Sequence, residues 1–271
     1  MENNTLNAAS NAALANSLIS KALEDTAPPV EPAKITAPSE TLVNLPGGYV
    51  LPTGEVITTA EVRELTGKDE EALSKISNAG RVLAEVLSRA VVKVGDKPAN
   101  DSILDGLLTG DRDSLLLGIY RATFGNPSTL GAWCGGCEDY KEVEINLDEE
   151  ITVKALVDPI NDRVFKVQGK KNSYVVTLPT GVTAKQLSAD ENKTLPELTT
   201  ILLKETVLEI NNSPVVSPIQ VQNLGLADRR EIGKAITERN PGPQFKDVSV
   251  TCPDCGVEVV IPLNIGALFR F

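Results

Sequence analysis

The chain has 271 residues, 41% of them hydrophobic, which is enough to bury a core in one large domain or two small ones. Its formal net charge of -11 argues against nucleic acid as a partner, because affinity for phosphates comes largely from Lys and Arg. The absence of histidine excludes Ser/His and Cys/His catalysis, and no apolar run reaches the roughly 18 residues of a membrane helix.

Residues 1–44 are predicted to form an N-terminal arm with a Pro-containing linker. Residues 7–24 are rich in Ala and Asn and carry apolar residues at helical spacing, namely Leu14, Leu18, Ile19 and Leu23. The polar, proline-bearing stretch 27–40 predicts an extended linker after this short amphipathic helix. The arm is either disordered in the free protein or docked on a neighbouring subunit, and we expect docking within an assembly. It lacks the features of a signal peptide, so we expect synthesis in a cytoplasm.

Residues 45–158 are predicted to form the first of two related β/α repeats. They open with two short extended segments around a Gly-Gly turn. An apolar stripe after the acidic run that starts at Asp69 predicts one long helix, interrupted at Gly80. A second helix is predicted to begin near Asp111, whose side chain can cap exposed backbone N–H groups.

Residues 159–271 show the same features in the same order and are predicted to form the second repeat. Leu-Pro-Thr-Gly occurs at 51–54 and again at 178–181, and an Asp-Arg pair opens a predicted helix at Asp111 and at Asp228. Each half then ends in a CxxC motif and an alternating strand, with Asp-to-Cys spacings of 23 and 24 positions. Each similarity is weak alone, but together they predict an internal duplication.

All four cysteines lie in the two CxxC motifs, which hold Cys134 with Cys137 and Cys252 with Cys255. Two thiolates from each of two such knuckles complete the tetrahedral site of a zinc ribbon, so these residues are predicted to bind one structural zinc ion. The knuckles lie 115 positions apart, well beyond the ~15 to 20 of a local ribbon. Two halves packed around a pseudo-two-fold axis would present the knuckles to each other.

The predicted fold class is therefore α+β and internally duplicated. Two β/α repeats each end in a CxxC knuckle and a strand, and they share one zinc-ribbon-like site, with an extended N-terminal arm outside them. Trp133, beside the first knuckle, is expected to pack over the metal. The terminal residues 268–271 either form an exposed docking tail or cover the second ribbon.

The four cysteines could have three other roles. Redox dithiols of the thioredoxin type begin a helix, whereas each CxxC here precedes a strand. Structural disulfides do not suit a reducing cytoplasm. An iron–sulfur cluster held by four cysteines stays open. No other group looks catalytic, because the acidic runs are typical of solvated faces or helix starts and no phosphate-binding glycine loop occurs.

Six segments together resemble the T-even-type phage baseplate hub and hub-assembly proteins. They are LPGGYVLPTGE, VRELTGKDEEAL, LLTGDRDSLLLGIYRATFGNP, CGGCEDYKEVEINL, NPGPQF and VSVTCPDCGVEVVIPLNIGALFRF, which are distributed along the chain from Leu45 onward. The resemblance implies a non-enzymatic part of a contractile-tail baseplate, or a factor in its assembly, with other baseplate proteins as partners. It also implies residence in the host cytoplasm during assembly and then in the virion tail.

Two other functions are alternatives to a role in the baseplate. The first is a cytoplasmic zinc-ribbon adaptor, or an assembly chaperone that the virion does not retain. The second is a thiol oxidoreductase that uses one of the CxxC pairs. Neither nucleic acid nor membrane insertion is expected in any of the three cases.

Overall fold

The computed structural model describes residues 12–24 and 40–269. The first range is a single helix, α1 (Ala12–Glu24), which lies within the predicted amphipathic segment. The predicted linker lies outside the described residues except for Glu40, which begins the first strand. The helix and the remainder of the chain belong to separate compact units, so docking of the arm stays a prediction.

The second range contains two successive sets of elements. The first set is β1 (Glu40–Val50), β2 (Val56–Arg63), α2 (Gly67–Leu73), α3 (Ala79–Ala90), β3 (Val91–Val94), β4 (Lys97–Pro98), α4 (Asp101–Gly106), α5 (Thr109–Phe124), β5 (Pro127–Cys134), β6 (Asp139–Asn146) and α6 (Leu147–Glu150). The second set is β7 (Thr152–Lys154), β8 (Val164–Gln168), β9 (Ser173–Thr177), α7 (Gly181–Leu187), α8 (Leu195–Thr206), β10 (Val207–Ile210), β11 (Ser213–Pro214), α9 (Pro218–Gln222), α10 (Leu226–Arg239), β12 (Gly242–Gln244), β13 (Asp247–Thr251), β14 (Glu258–Pro262) and α11 (Ile265–Leu268).

Each half contains an antiparallel four-stranded sheet with the same topology. The strand orders are β1-β2-β3-β4 and β8-β9-β10-β11, and two helices separate the second strand from the third in both. Each half also ends in a separate two-stranded hairpin, β5-β6 or β13-β14. The predicted α+β class is therefore confirmed. The shared order of elements supports the duplication, which stays a prediction, as do the boundaries at 45–158 and 159–271.

The long helix predicted with an interruption at Gly80 is two helices, and the break lies before Gly80, at residues 74–78. The first, α2, ends at Leu73, and α3 begins after Asn78, whose side chain accepts a hydrogen bond from the Arg81 N–H at 2.9 Å. A side-chain cap of this kind stabilises a new helix start. The apolar stripe is continuous in sequence, but the cap between its two parts breaks the helix.

The two Leu-Pro-Thr-Gly segments do not occupy equivalent places. Residues 51–54 form the turn between β1 and β2, whereas 178–181 follow β9 and lead into α7, with Thr180 as its N-cap residue. The residue that stands in the place of Thr180 in the first half is Thr66, the N-cap residue of α2. This part of the sequence alignment was wrong because the same turn residues serve two different purposes.

The two Asp-Arg pairs do occupy equivalent places, but their aspartates do not cap helices. Asp111 and Asp228 lie in the first turn of α5 and α10, and neither helix has a side-chain cap. Asp111 Oδ1 instead accepts the backbone N–H of Gly47 at 2.6 Å, and Asp228 Oδ1 accepts that of Lys170 at 2.6 Å. Each aspartate thus ties its helix to a distant segment of its own half. Burial raises the pKa of Asp111 to about 6.

The arginines of these pairs make matching contacts. Arg112 Nη1 donates to the Leu104 carbonyl at 2.7 Å, and Arg229 Nη1 donates to the Val221 carbonyl at 3.0 Å. Both acceptors lie eight positions upstream, near the end of the short helix that precedes the longer one. Each arginine therefore satisfies a backbone group that the short helix leaves without an internal partner.

Helix α5 lies at the centre of the body. Its residues from Gly110 to Tyr120 are buried except for Asp113. It packs against β1 and β2 of its own half, against β12 and against α11. Because protein surrounds the helix, it has no polar face turned towards solvent. The larger apolar core joins α5, the first sheet and both terminal hairpins, and a smaller core fills the second sheet and its helices.

The chain end packs on α5. Leu268 and Phe269 are buried, and the Phe269 ring meets Tyr120 edge-on with 5.8 Å between ring centroids. The alternative of an exposed docking tail is therefore wrong for these two residues, while Arg270 and Phe271 lie outside the described residues. Among the described helices, none is long and apolar enough to cross a membrane.

The acidic run at the start of α2 contains one buried carboxylate, Asp69. Its oxygens accept hydrogen bonds from Arg63 at 2.8 and 3.1 Å and from the N–H and hydroxyl of Thr66 at 2.9 and 2.8 Å. The Arg63 guanidinium, the largest cause, holds the pKa of Asp69 well below its ordinary 3.8. A carboxylate whose pKa is lower in the folded state than in the unfolded state stabilises the fold at pH values above its unfolded-state pKa. This stabilisation is lost as the pH falls through the folded-state pKa.

We expect Asp69→Asn to lower the free energy of unfolding at pH 7 by about 2 kcal/mol, because charge-assisted hydrogen bonds are lost. The difference from wild type should shrink as the pH falls below the ordinary value of 3.8. Urea unfolding of both proteins at pH 7 and pH 3 measures it, and the cysteine cluster is common to both. Glu70→Gln, at the exposed neighbouring carboxylate, is the control. A difference that is the same at both pH values contradicts the assignment.

Candidate metal centre

The four cysteines come together at the tips of the two terminal hairpins. Cys134 ends β5 and Cys137 lies in the turn before β6, while Cys252 follows β13 and Cys255 lies in the turn before β14. All four Sγ atoms lie within 4.8 Å of one another. The sequence therefore predicted correctly which residues cluster, although the two CxxC motifs are far apart along the chain.

Two close Sγ–Sγ contacts in the cluster cross between the hairpins. Cys134 and Cys255 are 3.4 Å apart, and Cys137 and Cys252 are 3.8 Å apart. A tetrahedron with zinc–sulfur bonds of about 2.3 Å has sulfurs about 3.8 Å apart. The spacing of the sulfurs therefore fits one tetrahedral ion held by both halves of the body.

The second knuckle is shaped by backbone hydrogen bonds. The Cys252 N–H donates to the Val257 carbonyl at 2.8 Å, and the Gly256 N–H donates to the Cys252 carbonyl at 3.0 Å. The N–H groups of Cys255 and Asp254, in that order, lower the pKa of the Cys252 thiol to about 7. The knuckle therefore favours a thiolate at Cys252, which is the form that binds a metal.

The opposite effect is seen at the other knuckle. The hydrogen bond with the Cys255 thiol, the largest cause, raises the pKa of Cys137 to about 12. Crowded thiolates repel one another, so full ionisation of the cluster at neutral pH calls for a cation. A divalent metal would supply that charge and displace the thiol protons.

An ion pair joins the two hairpins beside the cysteines. Lys141 Nζ, on β6, lies 2.9 Å from Asp254 of the second knuckle and 3.2 Å from Asp139. These two carboxylates raise the pKa of Lys141. The pair is partly exposed, so its main consequence is to orient the second knuckle against β6.

Two of the cysteines are buried and two lie nearer the solvent. Cys134 and Cys252 are 0% and 1% exposed, whereas Cys137 is half-buried and Cys255 exposed. The buried pair continues the apolar interior where the hairpins pack together, β14 against β5. The cluster therefore caps one end of the larger core and is reachable by small ions from outside.

The prediction that Trp133 packs over the metal is wrong. Trp133 is 54% exposed and stacks edge-on against Tyr140, with 5.2 Å between ring centroids. The two residues are directly opposite each other in the β5-β6 register. Side chains alternate along a strand, so the inward side chain of Cys134 turns its neighbour outward. The two-residue period of β5 could have revealed this.

The fold and the cluster define a class: an α+β protein whose two terminal hairpins share four cysteines that can hold a metal ion. A protein-family model described as "T4 bacteriophage base plate protein" matches residues 49–270, which is most of the chain. The chain belongs to this family, and the resemblance noted from its sequence is confirmed. Searches of curated proteins and of solved structures gave no match. Family membership supports a structural role in a phage baseplate, with other tail and baseplate proteins as partners.

Proposed function

We propose that the protein is a non-enzymatic component, or an assembly factor, of the baseplate hub, with its two halves fastened by one structural zinc ion. Cys134, Cys137, Cys252 and Cys255 are the proposed ligands. It would meet its partners, other baseplate proteins, in the host cytoplasm during assembly and then act in the tail. Neither nucleic acid nor membrane insertion has a part in this proposal.

The convergence of the four sulfurs carries the zinc proposal. Cys137 and Cys252 are separated by 115 positions, yet their sulfurs are 3.8 Å apart. With four protein thiolates around one ion, no coordination position is left for water or substrate, and such closed sites are structural. A site of this kind suits a part of a particle that must keep its shape rather than turn over a substrate.

The positions of the cysteines also bear on the alternatives. Both CxxC motifs lie in hairpin turns and not at a helix N-terminus, where the helix dipole would activate a redox thiol. Sulfurs of different motifs approach to 3.4 and 3.8 Å and all four lie within 4.8 Å of one another, whereas a CxxC redox centre needs only the two thiols of one motif. The geometry therefore favours a shared metal over a thiol oxidoreductase. Elemental analysis separates zinc from an iron–sulfur cluster.

We expect the purified full-length protein to contain one zinc per chain, and Cys252→Ser to lose it. Removing one of four thiolates opens the site and weakens metal binding strongly. Elemental analysis of both proteins is the measurement, with Thr251→Ser, at the exposed residue beside Cys252, as the control that should keep its zinc. A wild-type protein with no metal and four titratable thiols would refute the proposal. A protein that contains iron and inorganic sulfide would hold an iron–sulfur cluster instead of zinc.

The protein content of purified phage particles distinguishes a permanent baseplate component from an assembly factor. A permanent component stays with purified phage particles through sedimentation, and a peptide map of those particles contains the chain. An assembly factor or an adaptor acts on the same partners but is absent from that map. The N-terminal arm is proposed to dock on a neighbouring subunit, which predicts that residues 1–44 gain protease protection in the particle.

A further inference from the structure

The two halves touch through a short backbone contact between the segments that precede α5 and α7. We call residues 107–109 the α5 junction and residues 179–181 the α7 junction. They form an antiparallel bridge with two backbone hydrogen bonds, from the Gly181 N–H to the Leu107 carbonyl (2.9 Å) and from the Thr109 N–H to the Pro179 carbonyl (3.0 Å). The contact joins a helix start of the first half to a helix start of the second.

This contact is close and buried. A Cβ on Gly181 would lie 2.5 Å from the Leu104 carbonyl oxygen and 2.8 Å from the Asp105 Cα, so only glycine fits there. Leu107 and Leu108 are 0% and 1% exposed. Both leucines of the α5 junction are therefore buried where the α7 junction meets it, Leu107 in the larger core and Leu108 in the smaller one.

The second half carries a counterpart of the α5 junction, and its last two residues are exposed. Residues 224–226, the α10 junction, precede the Asp228 pair as residues 107–109 precede the Asp111 pair. Here Gly225 is exposed and Leu226 is 72% exposed. Ile219, in the short helix just upstream, is 63% exposed. Leu224, the counterpart of Leu107, is buried, so the part of the α10 junction that faces solvent is Gly225 and Leu226.

The first half carries a counterpart of the α7 junction, and its last two residues, Thr66 and Gly67, are exposed. Residues 65–67, the α2 junction, contain Thr66, the N-cap residue of α2, as the α7 junction contains Thr180, and both caps form a capping box. Gly67 follows Thr66 as Gly181 follows Thr180. A Cβ on Gly67 would meet nothing within 4 Å among the described residues, so its own chain does not require glycine there.

We propose that a second copy of this chain occupies these surfaces: the α10 junction of one copy binds the α2 junction of the next. The contact repeats between copies what the α5 and α7 junctions do within one chain. It explains why Gly67, like Gly181, lacks a side chain. The two surfaces differ, so the association is head-to-tail and leads to a ring or an open row of copies. It rests on the predicted equivalence of the halves and is independent of the zinc.

The contact involves few residues, so we expect it to be weak between free molecules and to form at the high local concentration of an assembly. Photo-crosslinking captures such weak contacts. The full-length protein carrying p-benzoylphenylalanine in place of Leu226 would be mixed as unlabelled and 15N-labelled copies and irradiated over a range of concentrations. The expected product is a dimer in which position 226 of one copy is joined to tryptic peptide 64–68 of the other.

Gly67→Leu provides the decisive variant, because a side chain there would collide as one at Gly181 would. The crosslinked dimer should be lost, whereas Gly131→Leu, at another position where a Cβ meets nothing within 4 Å, should leave its yield unchanged. Ala227→Arg changes the exposed residue that follows the α10 junction, on the other side of the proposed contact. It is the second variant if Gly67→Leu lowers the melting temperature. The proposal is overturned by crosslinks confined to one chain, by no dimer at the highest soluble concentration, or by a dimer that survives both variants.

Discussion

Removal of the proposed zinc is expected to lower the free energy of unfolding by several kcal/mol. The metal binds only the folded arrangement of the four thiolates, so its binding free energy adds to the stability of the fold. Denaturant unfolding with and without a strong chelator measures the effect.

The loss should be greatest in the terminal hairpins. A two-stranded hairpin is marginal by itself, and here β5-β6 and β13-β14 each depend on the other and on the cluster at their tips. Hydrogen exchange should therefore rise first at residues 127–146 and 247–262 after chelation. The second sheet, β8 to β11, has its own core and should keep its protection.

Cys252→Ser should reproduce the chelated state, and Thr251→Ser should match wild type. Chelation should change nothing further in Cys252→Ser, because the site is already open. Uniform loss of protection across both sheets would mean that the cysteines hold up the whole fold and not chiefly the hairpins. Unchanged stability after chelation would contradict a structural metal.

The cysteine cluster could be predicted from the sequence because it depends on residue chemistry. All four cysteines lie in CxxC motifs and no histidine is present, so few other arrangements were available. The thiolate spacing then limits the possible ions. Two-residue alternation around Cys134 also places Trp133 outside, but the general tendency of aromatic side chains towards burial concealed it.

The tertiary contacts could not be predicted in the same way. Asp111 reads as a helix cap from its neighbours, yet its partner is the Gly47 N–H, 64 positions away. The second Leu-Pro-Thr-Gly segment resembles the first, yet one makes a hairpin turn and the other caps a helix. Local patterns report which conformations a segment can adopt, and packing with distant segments decides among them.

The same limit applies to α5. The sequence predicts apolar residues on one face of this helix, whereas the structure buries residues all round it, Asp111 and Arg112 included. In the structure, β1, β12 and Phe269 all pack on it. The first half therefore completes its core with residues of the second, which explains why the two halves form one compact unit from Pro38 onward.

The closest of these contacts supports the second large effect: Gly110→Ala is expected to lower the free energy of unfolding by about 3 kcal/mol or more. Gly110 lies in the first turn of α5, and a Cβ there would stand 1.7 Å from the carbonyl oxygen of Pro241, the residue before β12. Neither partner can yield by a rotamer change, because the obstructing atom belongs to the backbone. The helix and β12 must move apart, and with them the two halves.

Gly233→Ala is the matched control for this change. Gly233 lies within α10, where an added Cβ meets nothing within 4 Å among the described residues. Alanine is favoured over glycine in a helix interior, so this variant should gain up to about 1 kcal/mol. Urea unfolding of both variants and the wild type gives the comparison. Equal stability of Gly110→Ala and wild type would mean that α5 and β12 can separate without cost. A lower free energy of unfolding in Gly110→Ala together with a higher one in Gly233→Ala would show that the fold depends on the close contact between α5 and β12, where the first half meets the second.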